Sequence, residues 1–193
     1  PLPRFETIVA VQARHPPMLD QPGHVVAVDL AGSELWRFEV PNECWGLDVS
    51  IAGDTAVACH DGGVYLLDSN GALWWERTFD QMNRLARFSP DGATVIVGPD
   101  GNSDIVLLDA RSGENVWAFD PEERLDWLRN ARWSPDGSRF VTSHADGRLA
   151  VFSDDFDLLW EVDIGEFAML LEVDADHHVY AAGKNRELFG FDG

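Results

Sequence analysis

The motif that decides the fold is Asp68-Ser-Asn-Gly-Ala-Leu-Trp74, a carboxylate followed by a turn with Gly or Ser and then by Trp. It recurs as Asp29-Leu-Ala-Gly-Ser-Glu-Leu-Trp36, Asp109-Ala-Arg-Ser-Gly-Glu-Asn-Val-Trp117 and, more loosely, Ser153-Asp-Asp-Phe-Asp-Leu-Leu-Trp160. These tryptophans are 38, 43 and 43 residues apart. A fixed period of this length means that one supersecondary unit is used several times.

A second series of turns keeps step with the first. Its members are Ser50-Ile-Ala-Gly53, Ser89-Pro-Asp-Gly92, Ser134-Pro-Asp-Gly137 and the weaker Asp174-Ala-Asp-His177. Between these turns lie short runs of alternating, β-branched and aromatic residues, without helical periodicity. The sequence therefore predicts an all-β fold, a β-propeller of four-stranded antiparallel blades.

Counting the runs predicts a single propeller domain over residues 1–193 that touches five blades, three complete and two incomplete. The approximate blades are 1–43, 44–80, 81–123, 124–164 and 165–193. With strands labelled a to d outward from the axis, the first piece supplies b, c and d, and the last supplies a, b and c. Six strands cannot merge into one blade, so either the chain is a fragment of a larger propeller or the ring leaves strand edges exposed.

Exposed edges favour pairing with another chain, including a second copy.

The charge of the chain excludes several kinds of partner. Its 34 acidic and 14 basic residues give a formal net charge of −20. Such a surface repels phosphate backbones and anionic lipid headgroups, so nucleic acid is not expected as a partner. No run of eighteen apolar residues occurs, so direct membrane insertion is not expected either.

The basic residues are almost all arginine, since Lys184 is the single lysine. High carboxylate density with so little lysine favours a protein of a salt-loving archaeon, in which concentrated salt screens the self-repulsion. The first residues, Pro1-Leu-Pro-Arg4, include neither an initiator Met nor a secretory apolar segment. Localisation is left open on this basis, with the cytoplasm favoured over export.

The two cysteines, Cys44 and Cys59, fall on strands expected to be adjacent and antiparallel. Because directly cross-strand pairs are geometrically restrictive, two buried free thiols are favoured over a disulfide.

The run Gly63-Val-Tyr-Leu-Leu-Asp-Ser-Asn-Gly-Ala-Leu-Trp74 resembles the repeat of the PQQ-like, or quinoprotein-like, β-propellers. Phe88-Ser-Pro-Asp-Gly92 and Trp133-Ser-Pro-Asp-Gly137 resemble a turn of WD40 and related propellers, but the Gly-His and Trp-Asp dipeptides of WD40 repeats are absent. The resemblance implies that the tryptophans pack one blade against the next. Quinoprotein dehydrogenases bind pyrroloquinoline quinone and a calcium-type ion, but their vicinal Cys pair is absent. No cofactor, metal or catalytic residue is therefore assigned.

Function in a propeller is carried by the loops at one end of the channel, here the connections from strand b to c and from strand d to a. Aromatic and Arg side chains in these loops are typical of binding hot spots. An equally weighted alternative is that the tryptophans plug the channel and the arginines pair with surplus carboxylates. The partner-binding candidates are Trp45, His60, Arg84, Arg124, Trp127, Arg129, His144 and Arg186, with Lys184 beside them.

Three further groups in the sequence suggest metal ligands but are better explained as structural. His60 and His144 occupy matching positions two blades apart, which favours partly exposed imidazoles that cap turns over a shared metal. The segment Asp100-Gly-Asn-Ser-Asp104 is rich in oxygen ligands but lacks the spacing of a calcium loop, so a turn is predicted. The pair His177-His178 is expected to be exposed at the opposite end.

The function predicted from these observations is a non-enzymatic interaction scaffold that binds a protein or peptide. The alternative is a fragment of a quinoprotein-like dehydrogenase, or of another propeller enzyme, whose catalytic residues lie outside this segment.

The charge leads to a prediction about salt. The midpoint of thermal unfolding should rise steeply as KCl increases from dilute to molar, because screening relieves the repulsion among carboxylates. Calorimetry across a KCl series measures this, and an unchanged midpoint would contradict the interpretation of the charge.

Overall fold

The structure is a computed structural model that describes residues 7–12, 22–99, 105–119, 126–183 and 187–192. The described residues form strands and turns. Their strands are β1 (Thr7–Gln12), β2 (Gly23–Asp29), β3 (Glu34–Val40), β4 (Cys44–Val49), β5 (Thr55–Cys59), β6 (Gly63–Leu67), β7 (Leu73–Thr78), β8 (Asn83–Phe88), β9 (Thr94–Pro99), β10 (Ile105–Asp109), β11 (Asn115–Phe119), β12 (Leu128–Trp133), β13 (Arg139–His144), β14 (Arg148–Ser153), β15 (Leu158–Asp163), β16 (Ala168–Val173), β17 (Val179–Gly183) and β18 (Leu188–Phe191).

The strands form five antiparallel sheets in chain order, which we call blades 1 to 5. Blades 2, 3 and 4 have four strands each, whereas blade 1 (β1 to β3) and blade 5 (β16 to β18) have three. The prediction of an all-β propeller with three complete and two incomplete blades is confirmed. Among the described residues no strand of blade 1 pairs with a strand of blade 5, so the sheets do not close into a ring.

The hydrophobic core is divided into four clusters, and each cluster lies between two successive blades. One cluster joins Val25 of blade 1 to Val57 of blade 2, and another joins Val141 of blade 4 to Leu171 of blade 5. Strands b and c are buried on both faces for this reason: every residue of β5 and of β6 is buried. The outer strand β7 alternates between exposed and half-buried residues, because only one of its faces meets a neighbour.

The last blade has no neighbour on its outer side in the described structure. Leu170 of β16 is 68% exposed, although the equivalent Leu85 and Asn130 of blades 3 and 4 are buried. Leu188 of β18 is 74% exposed on the same face. That this surface pairs with a second copy stays a prediction.

The carboxylate of the repeated motif caps the turn between strands c and d. Asp68 Oδ1 accepts hydrogen bonds from the backbone N–H groups of Asn70 (2.8 Å) and Ala72 (2.9 Å). Asp29 and Asp109 accept equivalent bonds, and those bonds hold the pKa of both carboxyls below the ordinary value. The recurring acid of the repeat is therefore a structural cap.

The tryptophan of the motif packs on the turn of the next blade. Trp36 Nε1 donates to Ser69 O at 3.1 Å, and Trp75 Nε1 donates to Ala110 O at 2.9 Å. A Cβ on Gly71 would lie 2.6 Å from the Trp36 ring, and one on Gly113 would lie 2.7 Å from the Trp75 ring. Each indole thus covers a glycine of the following blade.

The assignment of the second motif to Trp74 was wrong, since Trp75 takes this role. The ladders between strands c and d place Trp36, Trp75, Trp117 and Trp160 opposite Ala27, Leu66, Leu107 and Val151, each beside a bulge. Trp74 lies at the bulge and is 46% exposed. Two adjacent tryptophans look alike in a motif, but only one has the strand register that turns its ring inward.

The turns between strands a and b are also built as expected. Ser89 Oγ accepts from Thr94 N at 3.0 Å and donates to Asp91 Oδ1 at 2.5 Å. In blade 5 His177 replaces the turn glycine, at φ 67°, and its Nε2 lies 3.0 Å from Asp136 Oδ2 of blade 4. The expectation that His177 is simply exposed was wrong, because its imidazole joins two blades.

The two cysteines form a disulfide, so the prediction of two free thiols was also wrong. Cys44 and Cys59 face each other directly in the β4–β5 ladder. A bulge follows at once, because Gly46 rather than Trp45 continues the pairing. Such a bulge changes the local twist and makes room for a pairing that a regular ladder disfavours.

The described residues contain no helix that is long and apolar enough to cross a membrane.

Two glycines provide a matched test of the contact between Trp and turn. Gly71→Ala and Gly32→Ala both place a Cβ at positive φ, at +80° and +83°, which costs about 1–2 kcal/mol. Only Gly71→Ala also places a methyl group against the indole ring of Trp36, whereas a Cβ on Gly32 would have no atom within 4 Å. We expect Gly71→Ala to lose about 1–3 kcal/mol more in the free energy of unfolding, measured with urea. Equal losses would show that the indole contact contributes nothing.

Candidate functional site

The candidate site lies where the innermost strands begin, and a bulge in each of them shapes it. The ladders between strands a and b skip one or two residues: Trp45 in β4, Arg84 and Leu85 in β8, Arg129 in β12 and Met169 in β16. A bulged residue leaves the ladder and its side chain is re-aimed. We call Trp45, Arg84, Arg129 and Met169 the bulge set. Each lies five residues before the turn residue Ser50, Ser89, Ser134 or Asp174.

Three of the predicted residues form one cluster across blades 2 and 3. The Arg84 guanidinium carbon lies 4.4 Å from the centroid of the Trp45 ring, and the Trp45 and His60 ring centroids are 4.3 Å apart. Arg84 also donates to Met82 Sδ at 3.2 Å. Trp45 remains 49% exposed. A cation over an exposed indole stabilises by about 0.5–1 kcal/mol and holds both groups in place.

A second cluster spans blades 4 and 5. The Arg129 guanidinium carbon lies 5.4 Å from the Trp127 ring centroid and 5.4 Å from that of Phe167. Trp127 is 40% exposed. Both arginines therefore lie against aromatic rings. The two clusters together are called the loop face.

Each cluster contains a buried nitrogen without a hydrogen-bond partner among the described residues. These atoms are His60 Nε2 and Arg129 Nε. A buried polar atom without a partner costs about 1–3 kcal/mol. Both atoms belong to side chains beside half-exposed aromatic rings, so a bound segment could supply the missing partner.

His144 does not belong to this surface, and its predicted partial exposure was wrong. The side chain is fully buried, with Nδ1 2.9 Å from Asp126 O and Nε2 3.0 Å from Thr142 Oγ1. Burial lowers the pKa of His144 to about 4, against weaker opposing effects that include the bond to Asp126 O. The imidazole fixes the segment before β12, and in this way it positions Trp127.

Several predicted residues lie outside the described residues. They are Arg124, Arg186, Lys184 and the segment 100–104. Phe167 of the loop face and Met169 of the bulge set were not among the sequence candidates. The repeat period was the signal for Met169, since Met169 precedes Asp174 by the same five residues that separate Trp45 from Ser50.

At the opposite end of the blades, Asp174, Asp176 and His178 offer oxygen and nitrogen atoms within 4.8 Å of one another. The hydrogen bonds among these residues are those of a turn. Asp174 Oδ1 accepts from Asp176 N and His178 N at 2.9 Å each, and Asp174 Oδ2 lies 2.9 Å from His178 Nδ1. The carboxylate of Asp174 raises the pKa of His178. Asp174 thus accepts backbone N–H groups of this turn, as a Ser hydroxyl does in blades 2 to 4.

The fold, the repeated turns and the packing of Trp on Gly define a β-propeller of the PQQ-like and WD40-like kind. The model of the family described as outer membrane protein assembly factor BamB matches residues 21–166, and the chain belongs to this family. A curated relative, Echinoderm microtubule-associated protein-like 3 from Mus musculus, is 31% identical over 114 residues. That match covers 58% of this chain and 12% of the relative.

The fold has a close counterpart among solved structures. The β-propeller domain of Cps50 (Swd1) from Myceliophteria thermophila superimposes with a TM-score of 0.75 and 16% identity. The superposition covers 90% of this chain and 60% of that domain. The chain thus spans less than two thirds of both proteins, and the likeness to the solved structure concerns the fold alone.

The buried imidazole predicts a dependence of stability on pH. His144 has a pKa of about 4 in the folded protein and about 6.5 when unfolded, so the unfolded chain binds the proton first. The contribution of His144 to the free energy of unfolding is greatest above the pKa of the unfolded state. It falls by about 3 kcal/mol between pH 6.5 and pH 4. His144→Gln keeps a hydrogen-bonding side chain without the titration. Urea unfolding over this range should show a shallower loss for His144→Gln than for the natural chain, and parallel curves would exclude this role.

Proposed function

We propose that this chain is a non-enzymatic β-propeller scaffold that binds a protein or peptide segment on its loop face. The observation that carries the proposal is the pair of clusters in which an Arg lies against a half-exposed Trp, Trp45 with Arg84 and Trp127 with Arg129. Trp and Arg are the residue types most enriched in binding hot spots.

The loop face is held in position before any partner arrives. Trp45 follows Cys44, and the disulfide from Cys44 to Cys59 links the start of β4 to the end of β5. Trp127 follows Asp126, whose carbonyl lies against the buried His144. Side chains that are already ordered lose little conformational entropy on binding, so more of the contact energy appears as affinity.

The chemistry of the surface indicates what kind of segment it would bind. Exposed aromatic rings and Met169 favour an apolar or aromatic anchor, and Met169 is 59% exposed. The Arg129 Nε atom, which has no acceptor among the described residues, favours an oxygen acceptor beside that anchor. A peptide with an apolar side chain flanked by carbonyl or carboxylate oxygens supplies both.

The related proteins support binding rather than turnover. The family is described as an assembly factor, and the name of the curated relative describes association with microtubules. Neither description names a reaction. The partner of this chain is left to experiment, since the matches cover only part of those proteins.

The proposal predicts that capture of a partner depends on the loop face and not on exposed Trp in general. Immobilised protein would be incubated with an extract of the source cells, and retained proteins identified by mass spectrometry. Trp45→Ala and Arg129→Ala should weaken retention of the same protein by at least about 2 kcal/mol, roughly thirtyfold in Kd.

The matched control is Trp74→Ala, which removes a ring of similar exposure from the outer strand β7: Trp74 is 46% exposed and Trp45 is 49% exposed. Retention should be unaffected by this change. If all three variants retain the protein like the natural chain, or if nothing is retained by the folded natural chain, the loop face is not the binding surface.

A further inference from the structure

The end of the channel opposite the loop face contains a cavity between blades 2, 3 and 4. Its volume is about 400 Å³, and its lining includes Asp48, Arg87, Pro90, Arg132, Trp133 and Pro135. Asp48, Arg87 and Arg132 each lie two residues before the turn residue of their own innermost strand. The repeat therefore brings two guanidinium groups from neighbouring strands to one cavity, in a chain whose net charge is −20.

The Arg87 guanidinium has neutral partners. Its Nη1 donates to Leu47 O at 2.8 Å and to Ala86 O at 3.0 Å, and its Nε is buried without an acceptor. Within the part of the chain that the structure describes, no ion pair of Arg87 is present. A charged group that is largely removed from water and bonded only to carbonyls is poorly compensated.

Neither of the carboxylates nearby forms an ion pair with Arg87. Asp48 Oδ2 accepts the backbone N–H of Phe88 at 2.9 Å. Glu172 Oε1 lies 3.5 Å from Arg132 Nε, and the Glu172 side chain is 71% exposed. The pKa of Arg87 is lowered, first by burial and then by the charge of Arg132, and the attraction of Asp48 and Glu172 offsets this only in part.

A third donor lies in the same lining. Trp133 Nε1 is buried and has no hydrogen-bond acceptor among the described residues. The indole is held against Phe140, with ring centroids 4.9 Å apart, so it is not free to turn toward water. The cavity thus combines two guanidinium groups and an indole N–H, all donors.

We propose that this cavity is a binding site for a carboxylate, with Arg87, Arg132 and Trp133 as the donors. A carboxylate is planar and matches the fork of a guanidinium with two parallel hydrogen bonds. Each carboxylate group carries one charge, whereas a sulfate or a doubly ionised phosphate concentrates two charges on one group and is repelled more strongly by Asp48, Glu172 and the acidic surface. The site is separate from the loop face and does not depend on the function proposed for it.

The test uses succinate as the probe and the indole N–H signals of the natural chain in ¹H–¹⁵N NMR spectra. Trp133→Phe identifies the signal of Trp133. Saturable shifts of that signal with succinate, and none with the neutral dimethyl ester or with sulfate at the same ionic strength, are the expected result. No shift of the Trp133 signal at tens of millimolar succinate, or equal shifts with sulfate, would overturn the carboxylate site.

Variants test the arginines. Arg87→Gln and Arg132→Gln should each weaken succinate binding at least about tenfold by calorimetry. Arg111→Gln, on an exposed turn outside the cavity, should leave the affinity unchanged. The hydrogen bonds of Arg132, at 3.3 and 3.5 Å, are longer than those of Arg87, at 2.8 and 3.0 Å, so the Arg132 variant is the test if Arg87→Gln does not fold. An affinity that is unchanged in Arg132→Gln contradicts the proposal.

A carboxylate can come from a free acid or from the end of a peptide. Acetyl-Gly-Gly-Gly with a free carboxyl terminus, compared with its amide, distinguishes the two sources. Binding of the acid peptide with the same dependence on Arg132 assigns a peptide terminus, and binding of succinate alone assigns a small acid. If neither succinate nor the acid peptide binds, the inference is wrong.

Discussion

The contact on which the rest of the structure depends is that between the Trp of an outer strand and the turn of the next blade. A single blade is a small sheet with two apolar faces, and it cannot bury either face alone. The contacts of Trp36 with Gly71 and of Trp75 with Gly113 bury the outer part of the interfaces between successive blades, and the inner strands bury the rest. The hydrogen bonds from indole N–H to turn carbonyl fix the angle between successive blades as well as their distance.

Two residues show how strongly the blades depend on one another. Phe156 and His177 are the non-glycine residues with positive φ in the described structure, and both replace a turn glycine. Such a backbone costs about 1–3 kcal/mol and persists only where other contacts compensate. Phe156 stacks on Trp117 of the preceding blade at 5.4 Å, and His177 bonds to Asp136 of the preceding blade. In both cases the contact between blades supplies the compensation.

The sequence predicts the blades well because turns and tryptophans are local features that recur at a fixed period. It fails where the outcome depends on strand register. Trp75 rather than Trp74 faces inward, and Cys44 meets Cys59, because bulges shift the ladders by one residue. His144 looked like a surface ligand by its position in a loop, but its burial follows from the carbonyl of Asp126 on a neighbouring segment. The bulges recur with the repeat, but nothing in one sequence marks which residue of the motif leaves the ladder, and contacts between distant segments leave no periodic trace.

The innermost strand contributes to both of the surfaces for which we propose binding. Two residues before the turn, the four strands carry Asp48, Arg87, Arg132 and Glu172; five residues before it they carry the bulge set. Of the two positions between them, the one three before the turn holds only Leu47, Ala86, Ala131 and Leu171. Packing between blades restricts that middle position to apolar residues, whereas the other two differ in charge and size from blade to blade. Three residues of strand separate them by about 10 Å, so one strand serves the loop face at its start and the channel cavity near its end.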